Sequence, residues 1–312
     1  VEQPKKKMVS SFAALQEPVF RRIWTTSVLA NFGQLILGVG AAWEMTRLSS
    51  SAQMVALVQS AMMLPLMLMS APAGAIADMF DRRKIAMAGL AISIVSAGGL
   101  SIIAALGLTT PWILSAACIL IGSGVALYSP AWQASISEQV DAEKLPGAIA
   151  LGSVSYNLAR SFGPALGGVI VMAAGVTAAF AVNAIFYIPL FIAFFLWKRR
   201  HIPSRLPPER IDRAMISGAR YALHSQHIRL VLIRAFLFGL AGAGLAGLGP
   251  LIARDLLHGD AATYGLLLGA GGVGAVIGAL GVARISSILS LETATRIMAV
   301  ISGLFMAVVA LS

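Results

Sequence analysis

Long apolar segments recur along this chain of 312 residues and constrain its fold more than any other feature. A helix needs about 20 mainly apolar residues to cross the hydrocarbon core of a bilayer. The segments of sufficient length run over 23–47, 52–77, 85–107, 111–134, 146–174, 177–197, 229–253, 261–283 and 293–312. They are continuous and not alternating, which excludes the short strands of a membrane β-barrel. The sequence therefore predicts an all-α integral membrane protein with nine spans.

The composition fits lipid as the main solvent. Hydrophobic residues make up 58% of the chain and charged residues only 12%, whereas soluble domains carry about 25% charged residues. The chain has one cysteine, Cys118, and its four histidines show no spacing typical of metal ligands. No nucleotide-binding loop is present either. We therefore expect no enzyme, no cofactor, no metal site and no ATP-driven pump.

Basic residues lie on alternate connections between the spans. Lys5, Lys6, Lys7, Arg21 and Arg22 precede the first span, and further clusters follow spans two and six, whereas the other connections carry almost none. Because Lys and Arg collect on the cytoplasmic side, the N-terminus is predicted to be cytoplasmic, in an inner or plasma membrane. A basic face next to anionic lipid headgroups also explains the net charge of +10 without a nucleic acid partner.

The spacing of the spans predicts four regions. A cytosolic tail covers 1–22 and does not resemble a secretory signal. A six-helix bundle over 23–197 is followed by a cytosolic linker over 198–228, whose second part predicts an amphipathic surface helix. Residues 229–312 hold about three spans of a second bundle. We expect the chain to end inside that bundle, because the last span has no flanking anchor.

A loop between spans two and three reads "APAGAIADMFDRRKI". It is similar to the loop signature of the major facilitator superfamily, Gly-x-x-x-Asp-(Arg/Lys)-x-Gly-(Arg/Lys)-(Arg/Lys). Met79 and Asp81 depart from the pattern, whereas four residues match it: Gly74, Asp78, Arg82 and Arg83. The resemblance implies that Gly74 lets helices approach closely, that Asp78 meets a helix N-terminus or a cation, and that the two arginines anchor the cytosolic face. An ordinary positive-inside loop is the alternative interpretation.

Two longer stretches resemble one branch of the superfamily, the transmembrane secretion effectors, which is related to enterobactin exporters and macrolide efflux pumps. They begin "NFGQLILGVGAAWEMTRLSSSAQ" and "YSPAWQASISEQVDAEKLPGAIA". The resemblance implies a twelve-helix secondary transporter with two pseudo-symmetric bundles. It does not imply a cargo. Many proton-coupled antiporters carry an Arg and a Gln on the fourth helix, where this chain has Cys118 and Ile121.

Polar residues within the spans are candidates for a substrate or ion pathway, because secondary transporters bind their solute near the middle of the bilayer. Asn31 and Gln34 share one face of the first span. For these two and for Gln59, a hydrogen bond between helices is the alternative role. Glu44 is either a proton carrier or an interfacial acid paired with Arg47.

The stretch "NLARSFGPALGGV" places a charge beside residues that loosen a helix. Asn157, Arg160, Pro164 and Gly167 recur at helical spacing, so we expect Arg160 to point into the bundle, either as a structural cation or as a residue that handles substrate or ions. Gly163, Pro164, Gly167 and Gly168 resemble the fifth-helix motif of antiporters within the superfamily, which favours export. The glycine-rich segment 265–281 predicts close helix packing and not a dinucleotide site.

Together these features predict a monomeric secondary transporter that exports small amphiphilic molecules, siderophore- or drug-like, by proton antiport and alternating access. Its expected partners are a small-molecule substrate, protons and membrane lipids. Two alternatives stay open. One is an importer or uniporter of the same fold, and the other is a membrane sensor or assembly partner that transports nothing.

Overall fold

A computed structural model describes residues 11–198, 220, 224–288 and the isolated positions 293, 297, 300, 301 and 303. The predicted amphipathic helix of the linker and most of the ninth span lie outside these residues. The described chain is helical throughout, with a 3-10 helix at Ser11–Gln16 before the first long helix. The long helices are α1 (Pro18–Leu48), α2 (Ala52–Met79), α3 (Arg82–Ala105), α4 (Pro111–Ser135), α5 (Leu145–Leu196), α6 (Gln226–Leu251) and α7 (Ala261–Ile288). A 3-10 turn, Ile136–Glu138, follows α4, and a π-helix, Ile252–Leu256, follows α6.

Side chains next to the helix ends explain where two of the helices begin. Asp81 precedes α3, and its Oδ1 accepts a hydrogen bond of 2.9 Å from the backbone N–H of Arg83. Thr110 precedes α4, and its hydroxyl oxygen accepts one from the backbone N–H of Ile113. Proline occupies the first position of α4, where its missing N–H costs nothing. Both starts thus follow from local sequence.

Helix α5 is interrupted at Gly175. Its 52 residues would form a rod of about 78 Å, more than twice the thickness of a bilayer core. Gly175 has φ 78° and ψ 172°, a conformation that glycine adopts without steric cost. The break separates two arms, α5a (145–174) and α5b (176–196), at the connection that the sequence predicts between spans five and six. Among the described residues, five helices are long and apolar enough to cross a membrane.

Aromatic side chains fill the core at one end of the molecule. This basic end is where α1 and α3 begin and where α4 and α5b finish. The ring of Trp132 on α4 lies 6.2 Å from that of Phe20 on α1 and 6.1 Å from that of Phe194 on α5b. At the far end, where α1 and α3 finish, smaller aliphatic side chains and Phe180 form a second cluster. The two clusters hold α1 to α5 together as one packed body.

Glycines on α4 bring its neighbours to backbone contact. A Cβ added to Gly122 would lie 2.5 Å from the carbonyl oxygen of Met62 on α2. A Cβ on Gly124 would lie 2.5 Å from the carbonyl oxygen of Gly89 on α3. These approaches leave no room for a side chain, and they fix α4 between α2 and α3.

Candidate transport pathway where α1, α5 and α7 meet

One face of α5a packs tightly against α1. A Cβ added to Gly163 would lie 3.0 Å from the Cβ of Leu35, and one added to Gly167 would lie 3.0 Å from the Cα of Ile36. Both glycines are buried. The close packing that the motif predicts here is therefore present. The backbone remains helical through Pro164, and the break in α5 is at Gly175.

A second face of α5a packs against α7. This contact joins the first six predicted spans to the later ones. A Cβ on Gly168 would lie 2.5 Å from the carbonyl oxygen of Ala261. From the α7 side, a Cβ on Gly265 would lie 2.4 Å from the carbonyl oxygen of Pro164. The same tight contact recurs at Gly272, beside the Cα of Ser161. The close helix packing predicted for the glycine-rich segment is confirmed at these positions.

Arg160 lies between these two faces. On a helix with about 3.6 residues per turn, its side chain leaves α5a between the direction of Gly163, which faces α1, and that of Ser161, which faces α7. Asn157 falls in the same sector one turn earlier. Both side chains are exposed, whereas Pro164 and Gly167 are buried. The expectation that Arg160 points into the packed bundle is thus wrong, because the predicted stripe divides into a packed half and an open half.

Asn157 makes a hydrogen bond within its own helix. Its Nδ2 donates to the carbonyl oxygen of Ser153 at 2.9 Å. Arg160 lies near the midpoint of α5a, at the depth where a solute site is expected in a secondary transporter. The open sector of α5a therefore presents a cation and an amide near the midpoint of this helix.

Arg254 links the π-helix to α1 at the far end of the molecule. Its Nη1 donates a hydrogen bond to the carbonyl oxygen of Thr46, in the last turn of α1. Asp255 holds the same guanidinium through bonds of 2.6 and 3.0 Å. Because of these hydrogen bonds the pKa of Asp255 is lowered from its usual value. Buried beside this point lies a small cluster of Val39, Ala42, Ala253 and Tyr264.

The contact of Arg254 with Thr46 is not predicted by the sequence analysis. A basic residue between two apolar segments gives no indication of which distant carbonyl it meets. The π-helix that carries Arg254 is likewise absent from the predicted spans.

The polar residues of α1 have different surroundings. Asn31 donates a hydrogen bond of 2.9 Å from Nδ2 to the hydroxyl oxygen of Ser155 on α5a, which matches the alternative role as a link between helices. Gln34 is half-buried. Glu44 is buried, and its Oε2 lies 3.1 Å from Nη1 of Arg47, whose side chain is 65% exposed. The predicted pair of Glu44 and Arg47 is therefore formed, with the acid inside the protein.

Gln59 is exposed on α2, and the structure does not bring it to Arg160. Near it, α2 and α4 enclose an open cavity of about 520 Å³ with an apolar lining. Its walls include Met63 and Met67 on α2 and Trp112 and Ile119 on α4. Methionine side chains adapt to irregular apolar shapes, so this surface suits an apolar group of variable form.

The arginines of the predicted loop motif bind helix ends at the basic end. Arg82 donates from Nη1 to the carbonyl oxygen of Ala134 in the last turn of α4, at 2.8 Å, and to Oε1 of Glu138 in the following 3-10 turn, at 3.0 Å. Arg83 donates from Nε to the carbonyl oxygen of Phe194 at 2.9 Å and from Nη2 to that of Phe195. A cation at a helix C-terminus complements the helix dipole. The two arginines therefore fix the ends of α4 and α5b to the start of α3.

Two other residues of that motif behave differently. A Cβ added to Gly74 would meet no described atom within 4 Å, so the close helix approach expected at Gly74 stays a prediction. The side chain of Asp78 lies outside the described residues. Asp81, which replaces the usual glycine, caps α3.

The sequence profile described as "Transmembrane secretion effector" matches residues 9–312. The chain belongs to this family. The resemblance predicted from the loop motif and the two longer stretches is thereby confirmed, and members of the family are transporters and not enzymes.

Two curated relatives are transporters by name. The chain is 25% identical over 261 residues to the "Staphyloferrin A transporter" of Staphylococcus aureus (strain NCTC 8325 / PS 47), a match that covers 82% of this chain and 65% of the relative. It is 25% identical over 172 residues to the "Uncharacterized MFS-type transporter YfiS" of Bacillus subtilis (strain 168), covering 55% of this chain and 40% of that one. The chain therefore spans less than two thirds of the length of both relatives.

A solved structure supports the fold. The crystal structure of the POT family transporter PepTSo is similar, with a TM-score of 0.55 and 18% sequence identity, over 83% of this chain and 52% of that one. At this identity the similarity concerns the fold alone. The predicted major facilitator fold is confirmed, and the chain is a multi-pass membrane protein.

Proposed function

We propose that the protein is a secondary active transporter that exports small amphiphilic molecules, siderophore- or drug-like, in exchange for protons. One observation carries the proposal: the contact of α5a and α1 with α7 and the π-helix is closed at the far end, while Arg160 and Asn157 are exposed beside it. Transporters of this kind bind the solute between two halves and rock around it. A closed far end with exposed polar groups deeper in the contact is the arrangement expected of one state in that cycle.

The two kinds of surface on α2, α4 and α5a support an amphiphilic solute. Arg160 and Asn157 offer a charge and an amide on α5a, and the separate cavity between α2 and α4 offers an apolar wall with two methionines. The name of the staphyloferrin A transporter supports a siderophore-like cargo for this chain.

Glu44 is our candidate for the proton carrier. Among the described residues it is the buried acid within a predicted span. Its partner Arg47 is largely exposed, so a proton can replace the arginine at the carboxylate when the far end opens. Protonation would neutralise Glu44 and release Arg47 to solvent, which couples the charge of the pair to the state of the transporter.

The orientation of the protein in the membrane belongs to the same proposal. The basic end carries Arg82, Arg83 and Lys144, and we place it in the cytoplasm, with the N-terminus, in a cell membrane. The far end, with Arg254 and Thr46, then faces outward. We expect the working unit to be a monomer, surrounded by lipid.

Reconstitution of the full-length protein into proteoliposomes tests this function. With an imposed pH gradient, we expect uphill movement of at least one siderophore, macrolide or amphiphilic dye, and loss of that movement when an ionophore collapses the gradient. Solute movement that is the same with and without the pH gradient would favour a uniporter. Absence of movement for every solute, in a protein that remains folded, would favour a sensor or assembly partner and overturn the proposal.

A further inference from the structure

Arg160 is a cation without a described counter-ion. Among the side chains that the structure describes, it has neither a carboxylate within salt-bridge distance nor a hydrogen bond from its guanidinium. The ion pairs that the described residues form lie at the two ends of the molecule and do not include Arg160: Glu17 with Lys144, Glu138 with Arg82, Glu44 with Arg47, and Asp255 with Arg254.

The depth of Arg160 makes such a charge costly. It lies near the midpoint of α5a, and an arginine at the centre of a membrane helix costs at least about 2.5–3.5 kcal/mol on insertion scales. Both ends of α5a are too far from Arg160 for its guanidinium to reach the lipid headgroups. A charge kept at this depth therefore indicates an anion that pairs with it during the working cycle.

The surroundings of Arg160 suit a transient partner and not a permanent one. The helix beneath it is packed closely on both sides, through Gly163 against the side chain of Leu35 on α1 and through its own backbone against Gly272 of α7. Its side chain nevertheless stays exposed in the sector between them. A rigid helix with a free guanidinium is pre-organised for an incoming oxyanion, which a guanidinium binds through two parallel hydrogen bonds.

We propose that Arg160 recognises an oxyanion, a carboxylate of the cargo, so that the transported amphiphiles are acids. This inference rests on the proposed function and narrows its substrate class. A lipid headgroup phosphate shares the same chemistry, and the experiment has to separate the two sources.

The test uses a matched pair of probes, a rhodamine dye with a free carboxylate and the methyl ester of the same dye. Binding of each is measured to the purified full-length protein in a neutral detergent without lipid, for the wild type and for Arg160→Gln, Arg160→Lys and the control Arg22→Gln. Arg22 is an exposed arginine at the basic end of α1, so its replacement removes the same charge elsewhere.

We expect Arg160→Gln to weaken binding of the carboxylate dye roughly tenfold to a hundredfold and to leave the ester unchanged. Arg160→Lys should retain part of the preference for the acid, and Arg22→Gln all of it. Equal effects on both dyes would mean a structural role and overturn the inference. So would a wild type that prefers the acid only after anionic lipid is added, because the lipid would then be the partner.

Transport of the same two dyes into proteoliposomes separates this inference from the proposed function. In one outcome, the wild-type protein moves the ester as fast as the acid, and the ratio of the two rates is unchanged in Arg160→Gln. That result would support the transport function and contradict the oxyanion site. If neither dye nor any other solute moves while the acid still binds through Arg160, the transport proposal fails and the binding site stands.

Discussion

Arg254 on the π-helix donates a hydrogen bond to the carbonyl oxygen of Thr46 near the C-terminus of α1. This bond joins the first five helices to the later part of the chain at the far end. A cation at the last turn of α1 also complements the dipole of that helix. If the protein alternates between two states, this contact must break whenever the far end opens.

Replacement of Arg254 by alanine is expected to open the far end more often. A cysteine introduced as Ala42→Cys reports this, because Ala42 is 7% exposed in the cluster beside Arg254. We expect a membrane-impermeant maleimide to label it several-fold faster in the Arg254→Ala background. The native Cys118 is fully buried and should stay silent.

The control for this prediction is Arg22→Ala, which removes an exposed arginine from the basic end of α1, away from the π-helix and from the Glu44 pair. It should leave the labelling rate close to that of the parent. Equal rates in all three proteins would show that Arg254 does not hold the far end closed.

The same contact should be insensitive to mild changes of pH. The pKa of Asp255 is lowered by its hydrogen bonds to Arg254, so the stabilisation that this pair gives is present above the normal pKa and is lost only as the pH falls through the lowered one. Between about pH 5 and pH 8 Asp255 stays ionised. Labelling of Ala42→Cys, measured in a Glu44→Gln background and corrected for maleimide reactivity, should thus be constant over this range, and a rise toward pH 5 would contradict the assignment.

Gly265 is expected to tolerate no side chain. A Cβ there would lie 2.4 Å from the carbonyl oxygen of Pro164, whereas one on Gly271 of the same helix would meet no described atom within 4 Å. Gly265→Ala should destabilise the contact of α5a with α7 by about 1–3 kcal/mol. Gly271→Ala should be neutral or stabilising by up to about 1 kcal/mol, because alanine favours helix.

Thermal unfolding in detergent compares these two variants. A lower midpoint for Gly265→Ala and an unchanged or higher one for Gly271→Ala is the expected pair of results. Equal shifts in both would show that the packing of α7 against α5a contributes nothing to stability.

Glu44→Gln separates proton coupling from passage of the solute. The amide keeps the size of the side chain but cannot release a proton, so uphill export driven by a pH gradient should stop while downhill movement continues. Glu143→Gln, a change at an exposed acid of the basic end, is the matched control and should pump normally. Unimpaired pumping by Glu44→Gln would remove Glu44 from the proton pathway.

Much of the fold follows from the sequence because membrane spans depend on local composition. The apolar runs predict α1 to α5b, and Gly175 breaks α5 where an uncharged connection is expected. Asp81 shows a local signal that the sequence analysis missed, since an aspartate directly before a helix often caps it. In the sequence alone, Asp81 stands out only as a departure from the glycine of the family signature.

The candidate site is less predictable, because helical spacing gives a face but not its neighbour. The spacing groups Arg160 with Pro164 and Gly167, yet α1 and α7 cover only the latter two. The partner of Arg254 lies 208 residues away in sequence, and no local pattern specifies such a pair.

The direction and energy source of transport form the central claim, and everted membrane vesicles measure both at once. In vesicles that hold the full-length protein and are acidified inside by respiration, we predict accumulation of an amphiphilic acid, abolished by a protonophore and by Glu44→Gln. Accumulation only in right-side-out vesicles, or accumulation unaffected by the protonophore, would contradict export by proton antiport.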